Sequence, residues 1–185
     1  VSGNDILWPG VKKADIYGYY PYDASQVAPG AYQFQVKKDQ REHTDYSQSD
    51  FIWTKVPALS PTKNVELVFS HILSKININI HSTQDGLIPD PDNMKVTITG
   101  IQTKGLINVG DGTVTGDVNT ALSEVIFRKQ NATVEGFDAS FTGIIIPQAI
   151  SENKKLILIE FNGLNFYYSP TESLSFQQET TKTFN

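Results

Sequence analysis

Apolar residues along this chain fall into short runs that alternate with polar ones at a period of two, and turn residues separate the runs. No window of about 11 residues keeps apolar side chains at i, i+3, i+4 and i+7 behind a capping residue, so no long amphipathic helix is expected. Runs rich in Val, Ile, Thr, Tyr and Phe predict strands over 14–19, 32–37, 50–54, 65–80, 95–101, 105–109, 124–127, 139–146, 155–161 and 164–168. Ten strands suffice for a sandwich with part of a second sheet. In LILIEFNGLNFYY, Asn162 and Gly163 supply the two positive-φ positions of a type I′ hairpin turn. GDGTVTGDVN over 110–119 and IPDPDN over 88–93 read as turns. VPALSPTKN over 56–64, with two prolines, reads as a boundary between β-rich blocks.

One stretch breaks the alternation. In VELVFSHILSKININIHS the apolar residues Val65, Leu67, Phe69 and Leu73 occupy odd positions, whereas Ile72, Ile76, Ile78 and Ile80 occupy even ones. A straight strand from 65 to 80 would run ~53 Å at ~3.3 Å per residue, far beyond ordinary strand lengths. A bulge or bend near 70–74 is therefore expected to turn the side chains over, letting one continuous segment serve two sheets or cores.

Composition narrows the class of protein. At 185 residues the chain makes one ordinary domain or two small ones, and can bury ~70% of its unfolded surface. Charged residues are 19% of the chain, the net charge is −5 and the pI is near 5.1, so no basic footprint for a phosphate backbone exists and nucleic acid is not an expected partner. Cysteine is absent, which excludes disulfides, thiolate metal sites and a Cys nucleophile. The longest apolar runs, 144–146 and 156–159, are a fraction of the ~18 residues of a membrane span. The chain begins VSGNDILW with neither an initiator Met nor a signal-like segment, and reads as a mature form or a fragment.

The chemistry-bearing residues give no catalytic pattern. His71 and His81 share parity, but ten extended residues separate them by ~33 Å, which rules against a joint metal site, and His71 is expected to sit buried or half-buried near the bend. Asp90, Asp92, Asp111 and Asp117 lack the spacing of a calcium loop and read as turn formers. No nucleophile elbow, phosphate-binding loop, dinucleotide fingerprint or zinc-protease motif occurs, so neither an enzyme nor a cofactor is expected. The aromatic string DIYGYYPYD over 15–23 offers another possibility. Together with Trp8 and Trp53, its tyrosines could stack on sugar rings. Alternation puts Tyr17 and Tyr19 in one row, which packs a core, and leaves Tyr20 and Tyr22 as the candidate platform for host glycans or proteins. Asn131-Ala132-Thr133 matches a glycosylation acceptor, read here as a chance match.

Three of these stretches, in this order, resemble the fimbrillins, the fimbrial subunits and fimbrillin-like surface lipoproteins of Bacteroides-type bacteria. They are DIYGYYPYD, VELVFSHILSKININI and GIIIPQ followed by an apolar hairpin; Phe69, His71, Leu73, Ser74 and Lys75 are the most specific part, joined by Pro147 and Gln148. The resemblance implies an all-β fold of transthyretin-like β-sandwich domains, two in tandem with the first incomplete here. Residues 1–60 would be the C-terminal part of the first domain, and 61–185 the second, lacking its last strand. It further implies a cell-surface location at a fimbrium or the outer membrane, a role in adhesion, and other fimbrial subunits as partners through donated β-strands. Membrane contact would come only through a lipid anchor absent from these residues.

The chain departs from the family in lacking a lipidated N-terminus and early strands, and it stops at TTKTFN where one more strand is expected. A sandwich short of a strand exposes unpaired backbone groups beside an apolar groove, which a neighbour's strand can fill. A trimmed chain accounts for the same gaps equally well.

Overall fold

The computed structural model describes residues 10, 12–26, 30–62, 64–83 and 90–185; Trp8 and the first two residues of the 88–93 turn lie outside them. The elements are β1 (Ala14–Tyr20), β2 (Ala31–Gln35), α1 (His43–Gln48), β3 (Ile52–Leu59), β4 (Ser70–His71), β5 (Ser74–Ile80), β6 (Met94–Ile101), β7 (Lys104–Asn108), β8 (Val114–Gly116), β9 (Ser123–Ile126), β10 (Arg128–Lys129), β11 (Ala139–Ile145), β12 (Gln148–Ile150), β13 (Ile157–Phe161), β14 (Leu164–Tyr168), β15 (Leu174–Phe176) and β16 (Thr181–Phe184). The fold is an all-β sandwich. Its sheets run β1-β3-β4, β2-β7-β8, β14-β13-β6-β9, β10-β11-β5-β16 and β12-β15.

The segment whose hydrophobic phase reverses is the seam between two of these sheets. Ser70 and His71 pair antiparallel with Trp53 and Ile52 in the first sheet, and Ser74 through Ile80 pair with β11 in another. Between them Ile72 and Leu73 are both buried, two consecutive inward side chains that cannot belong to one pleat. Ile72 N–H donates to the Phe51 carbonyl at 3.0 Å, so the crossing is hydrogen-bonded rather than loose. The expected strand is shorter than the pattern suggested: residues 64–69 form no strand, and Val65, Val68 and Phe69 are exposed. Apolar alternation there has no sheet to serve.

Downstream of the seam the alternation of β5 is used on both faces. Ile76 and Ile78 enter the core, while Asn77 and Asn79 stand opposite Thr142 and Ser140 of β11 and accept their hydroxyl hydrogen bonds at 2.9 Å each. All seven residues of β11 are buried, so its polar side chains need these partners. Its Gly143 permits the close approach of Phe127, whose ring lies 2.3 Å from where a Cβ would stand.

β10 covers only Thr142 and Phe141 of β11. Beyond it the wholly buried Gln40 takes over as a side-chain strand: its Nε2 donates to the Ile144 carbonyl at 2.7 Å and its Oε1 accepts the Ile144 N–H at 2.8 Å. Two backbone groups that would otherwise be buried without partners are thereby satisfied.

A hydrophobic core runs continuously from Tyr32 and Phe34 of β2 through Ile76, Val96, Val125 and Ile157 to Phe176. Residues on either side of position 60 share it, and β2 pairs with β7 along Ala31–Gln35 and Lys104–Asn108. The first part of the Pro-rich stretch 56–64, read as a boundary between β-rich blocks, is the end of β3. Pro57 fits because pairing with β1 slips there: Ile16 faces Val56 and Ala14 faces Leu59, leaving Pro57 and Ala58 in a bulge whose Ala58 N–H goes to the Asp15 carboxylate at 2.8 Å. The 162–163 turn is a tight hairpin, with φ of 49° at Asn162 and 75° at Gly163 and Phe161 facing Leu164.

Candidate functional site

The structure sorts the residues singled out in the sequence into three places. Phe69, His71, Leu73, Ser74 and Lys75 gather around the sheet crossing. The Phe69 ring lies over Gly18 of β1, and Leu73 is buried. His71 is a correction to the sequence expectation: its side chain is 74% exposed, and its Nδ1 bonds Asp50 Oδ2 at 2.7 Å instead of a backbone group at the bend. The reason is that β4 lies at the edge of its sheet, so this side chain points to solvent. Ser74 donates its hydroxyl to the Gln177 carbonyl, the Lys75 N–H bonds the Thr180 carbonyl at 2.9 Å, and the Glu179 N–H bonds the Leu73 carbonyl at 3.2 Å. These bonds dock the 177–180 segment, and β16 then runs parallel to β5, Thr181 to Phe184 beside Lys75 to Ile78. A cavity of about 320 Å³ opens here, lined by His71, Leu73, Ser74, Lys75, Glu179 and Thr181 among others.

Pro147 and Gln148 sit elsewhere. The Gln148 amide pairs with the main chain of Gln102, accepting its N–H at 2.8 Å and donating to its carbonyl at 3.0 Å, and it also donates to the Ile146 carbonyl at 2.9 Å. Here Gln148 closes the gap between the ends of β6 and β11.

Tyr20 and Tyr22 form the third place, and the structure brings them to one groove. Tyr19 turns inward and stacks on Phe51 at 5.9 Å between ring centroids, as alternation requires. Tyr20 and Tyr22 are 47% and 72% exposed at the end of β1 and just beyond it. They line a groove of about 490 Å³ whose other wall is β2, with Gln26, Gln33, Gln35 and Gln48. The buried Tyr32 hydroxyl donates to the Pro21 carbonyl at 3.1 Å and fixes the Tyr20–Tyr22 turn against β2. Burial and then the nearby Asp23 charge push the Tyr32 phenol up from its ordinary pKa, which keeps it a donor. The Asp23 carboxylate, held below its usual range chiefly by hydrogen bonds from Ser25, closes its own turn.

The glutamines of this groove escaped the sequence reading, although AYQFQ carries the signal: Tyr32 and Phe34 face the core, so Gln33 and Gln35 face out beside the aromatic string. Other polar residues are spent on structure. Asp111 takes the Thr113 N–H and hydroxyl, and His81 pairs with Asp138 at 3.2 Å. Among the described residues no group of three or more His, Asp or Glu is placed to hold a metal ion, and no helix is long and apolar enough to cross a membrane.

The architecture is thus an all-β sandwich with a parallel closing strand and open sheet edges, most of its singled-out polar residues being committed to turns and backbone pairing. The fimbrillin-like family profile matches residues 1–185, and the chain belongs to that family. Among solved structures it is similar to a Bacteroides ovatus protein named a "putative cell adhesion protein", at 20% identity and a TM-score of 0.73, covering 100% of this chain and 68% of that one. A Bacteroides uniformis protein of the same description matches at 22% identity and a TM-score of 0.71, over 100% of this chain and 73% of its own. At such identities the likeness is one of fold. No curated protein matches the chain.

Proposed function

We propose that this chain is a subunit of a surface fimbrium or fimbrillin-like adhesive structure, joined to its neighbours by exchange of a β-strand. Membership of the fimbrillin-like family supports a place at the cell surface in adhesion. The observation that carries the assembly mechanism is the way β16 lies on β5. It is four residues long, runs parallel where the other partner of β5 is antiparallel, and alternates exposed with half-buried side chains. Its removal opens the backbone edge of β5 directly above Ile76 and Ile78, the arrangement into which a neighbour's strand adds. In the assembled state the strand beside β5 comes from another copy.

The absence of cysteine makes a clean test available. Thr181 faces Lys75 in the parallel register, both exposed, at a separation that suits a disulfide. A K75C/T181C chain oxidised on the bacterial surface is expected to give a ladder of covalent multimers when strands are exchanged. Cross-linked monomer alone in that surface material would refute exchange at β16.

A further inference from the structure

We propose that the groove between the Tyr20–Tyr22 turn and β2 is a binding site for a neutral carbohydrate. At about 490 Å³ it lies within the ~300–1,000 Å³ of small-ligand sites. Tyr22, 72% exposed, ranks among the most exposed of the large apolar side chains described, and it and Tyr20 border polar groups rather than an apolar patch. An aromatic face beside amides matches a pyranose, which has an apolar C–H face and a rim of hydroxyls. Among the described residues no hydrogen bond engages the side-chain amides of Gln33, Gln35 and Gln48, each of which has both donors and an acceptor to offer a pair of hydroxyls.

The competing ligands fit less well. For a polyanion there is, among the described residues, one lining cation, Lys37, together with the Asp23 carboxylate, on a chain of net charge −5. An extended peptide would add to the free edge of β2, but that edge is occupied at Gln33. Gln26 Oε1 accepts the Gln33 N–H at 2.6 Å, and Gln26 Nε2 donates to the Gln33 carbonyl at 2.9 Å while also donating to Asp23 at 3.1 Å. The side chain thus mimics a strand and denies the ladder to a peptide, while Gln33 and Gln35, exposed on the outer face of β2, line the groove. The site is shallow and open, which suits affinities near ~1 mM for one saccharide and strengthening by the repetition of subunits along a polymer.

The test is an amide-resolved NMR titration of the whole chain with maltotetraose, mannotetraose, galactotetraose and chitotetraose, and with 3′-sialyllactose and an extended octapeptide for comparison. At least one neutral oligosaccharide is expected to shift resonances of residues 20–26 and 31–37. Tyr22→Ala and Gln35→Ala, both at exposed positions, are expected to weaken that binding about tenfold with the remaining spectrum unchanged. No shift with any neutral sugar at ~10 mM, unchanged binding in Tyr22→Ala, or shifts with only the sialylated sugar or the peptide would each overturn the assignment. These outcomes are independent of the cross-linking ladder, so the site and the assembly mechanism stand or fall separately.

Discussion

Gln40→Leu tests the claim that one buried amide stands in for a missing length of strand. The native side chain is fully buried and makes two bonds to the Ile144 backbone at 2.7 and 2.8 Å, with a weaker third to the Lys37 carbonyl at 3.2 Å. Leucine keeps much of the volume but orphans the Ile144 N–H and C=O. At about 1–3 kcal/mol for each buried group left unpaired, the gross cost is about 2–6 kcal/mol. Relief from burying the amide itself returns part of this, about 1–2 kcal/mol, so a net loss of about 1–4 kcal/mol is expected. For a chain of this size that is a fall in Tm of about 2–16 °C. Urea unfolding should show a lower midpoint with an unchanged m-value, and the Ile144 amide should lose hydrogen-exchange protection. A loss below about 1 kcal/mol with Ile144 still protected would refute the reasoning, since it would mean that β11 finds another partner at no cost.

Two further substitutions probe other parts of the fold. Gly143→Ala places a methyl 2.3 Å from the Phe127 ring in the closed core, and is expected to destabilise by about 1–3 kcal/mol through forced displacement of that ring; denaturant unfolding measures it. The Asp15 carboxylate is held below its usual pKa chiefly by the Ala58 N–H, against the opposing effect of desolvation, with Tyr17 and Lys55 lowering it further. Its ionised form is therefore favoured in the folded state, so the stability it adds is present above the unfolded carboxylate pKa and is lost as pH falls through the lowered value. Asp15→Asn is expected to lower stability near neutrality and to flatten this part of the acid limb, so that its difference from the native chain narrows as pH falls toward about 3, as read from urea midpoints across that range.

Much of the architecture was legible in the chain because period-two alternation reports which face of a strand is buried. The 164–168 strand, the 162–163 turn and the change of sheet at 72–73 were all readable from side-chain order alone. The strands that escaped, β8, β10, β12, β15 and β16, are two to four residues long, too short to show a period. Their existence depends on backbone hydrogen bonds to neighbours distant in sequence. Position 71 shows a related limit: a histidine between Ser70 and Ile72 in an apolar run suggests burial, and only the edge location of β4 exposes it.

The sequence by itself therefore determined the all-β class, the hairpin and the crossing segment, since these depend on local periodicity and on the φ preferences of Asn and Gly. Tertiary structure alone decided that β16 lies parallel on β5, and that Gln40 completes a strand 104 residues away. It alone decided, too, that Tyr20, Tyr22, Gln33 and Gln35 line one groove. The physical reason is common to all three. A polar or edge residue carries no signal of its partner, because a hydrogen bond is satisfied by whatever group the completed fold brings within reach.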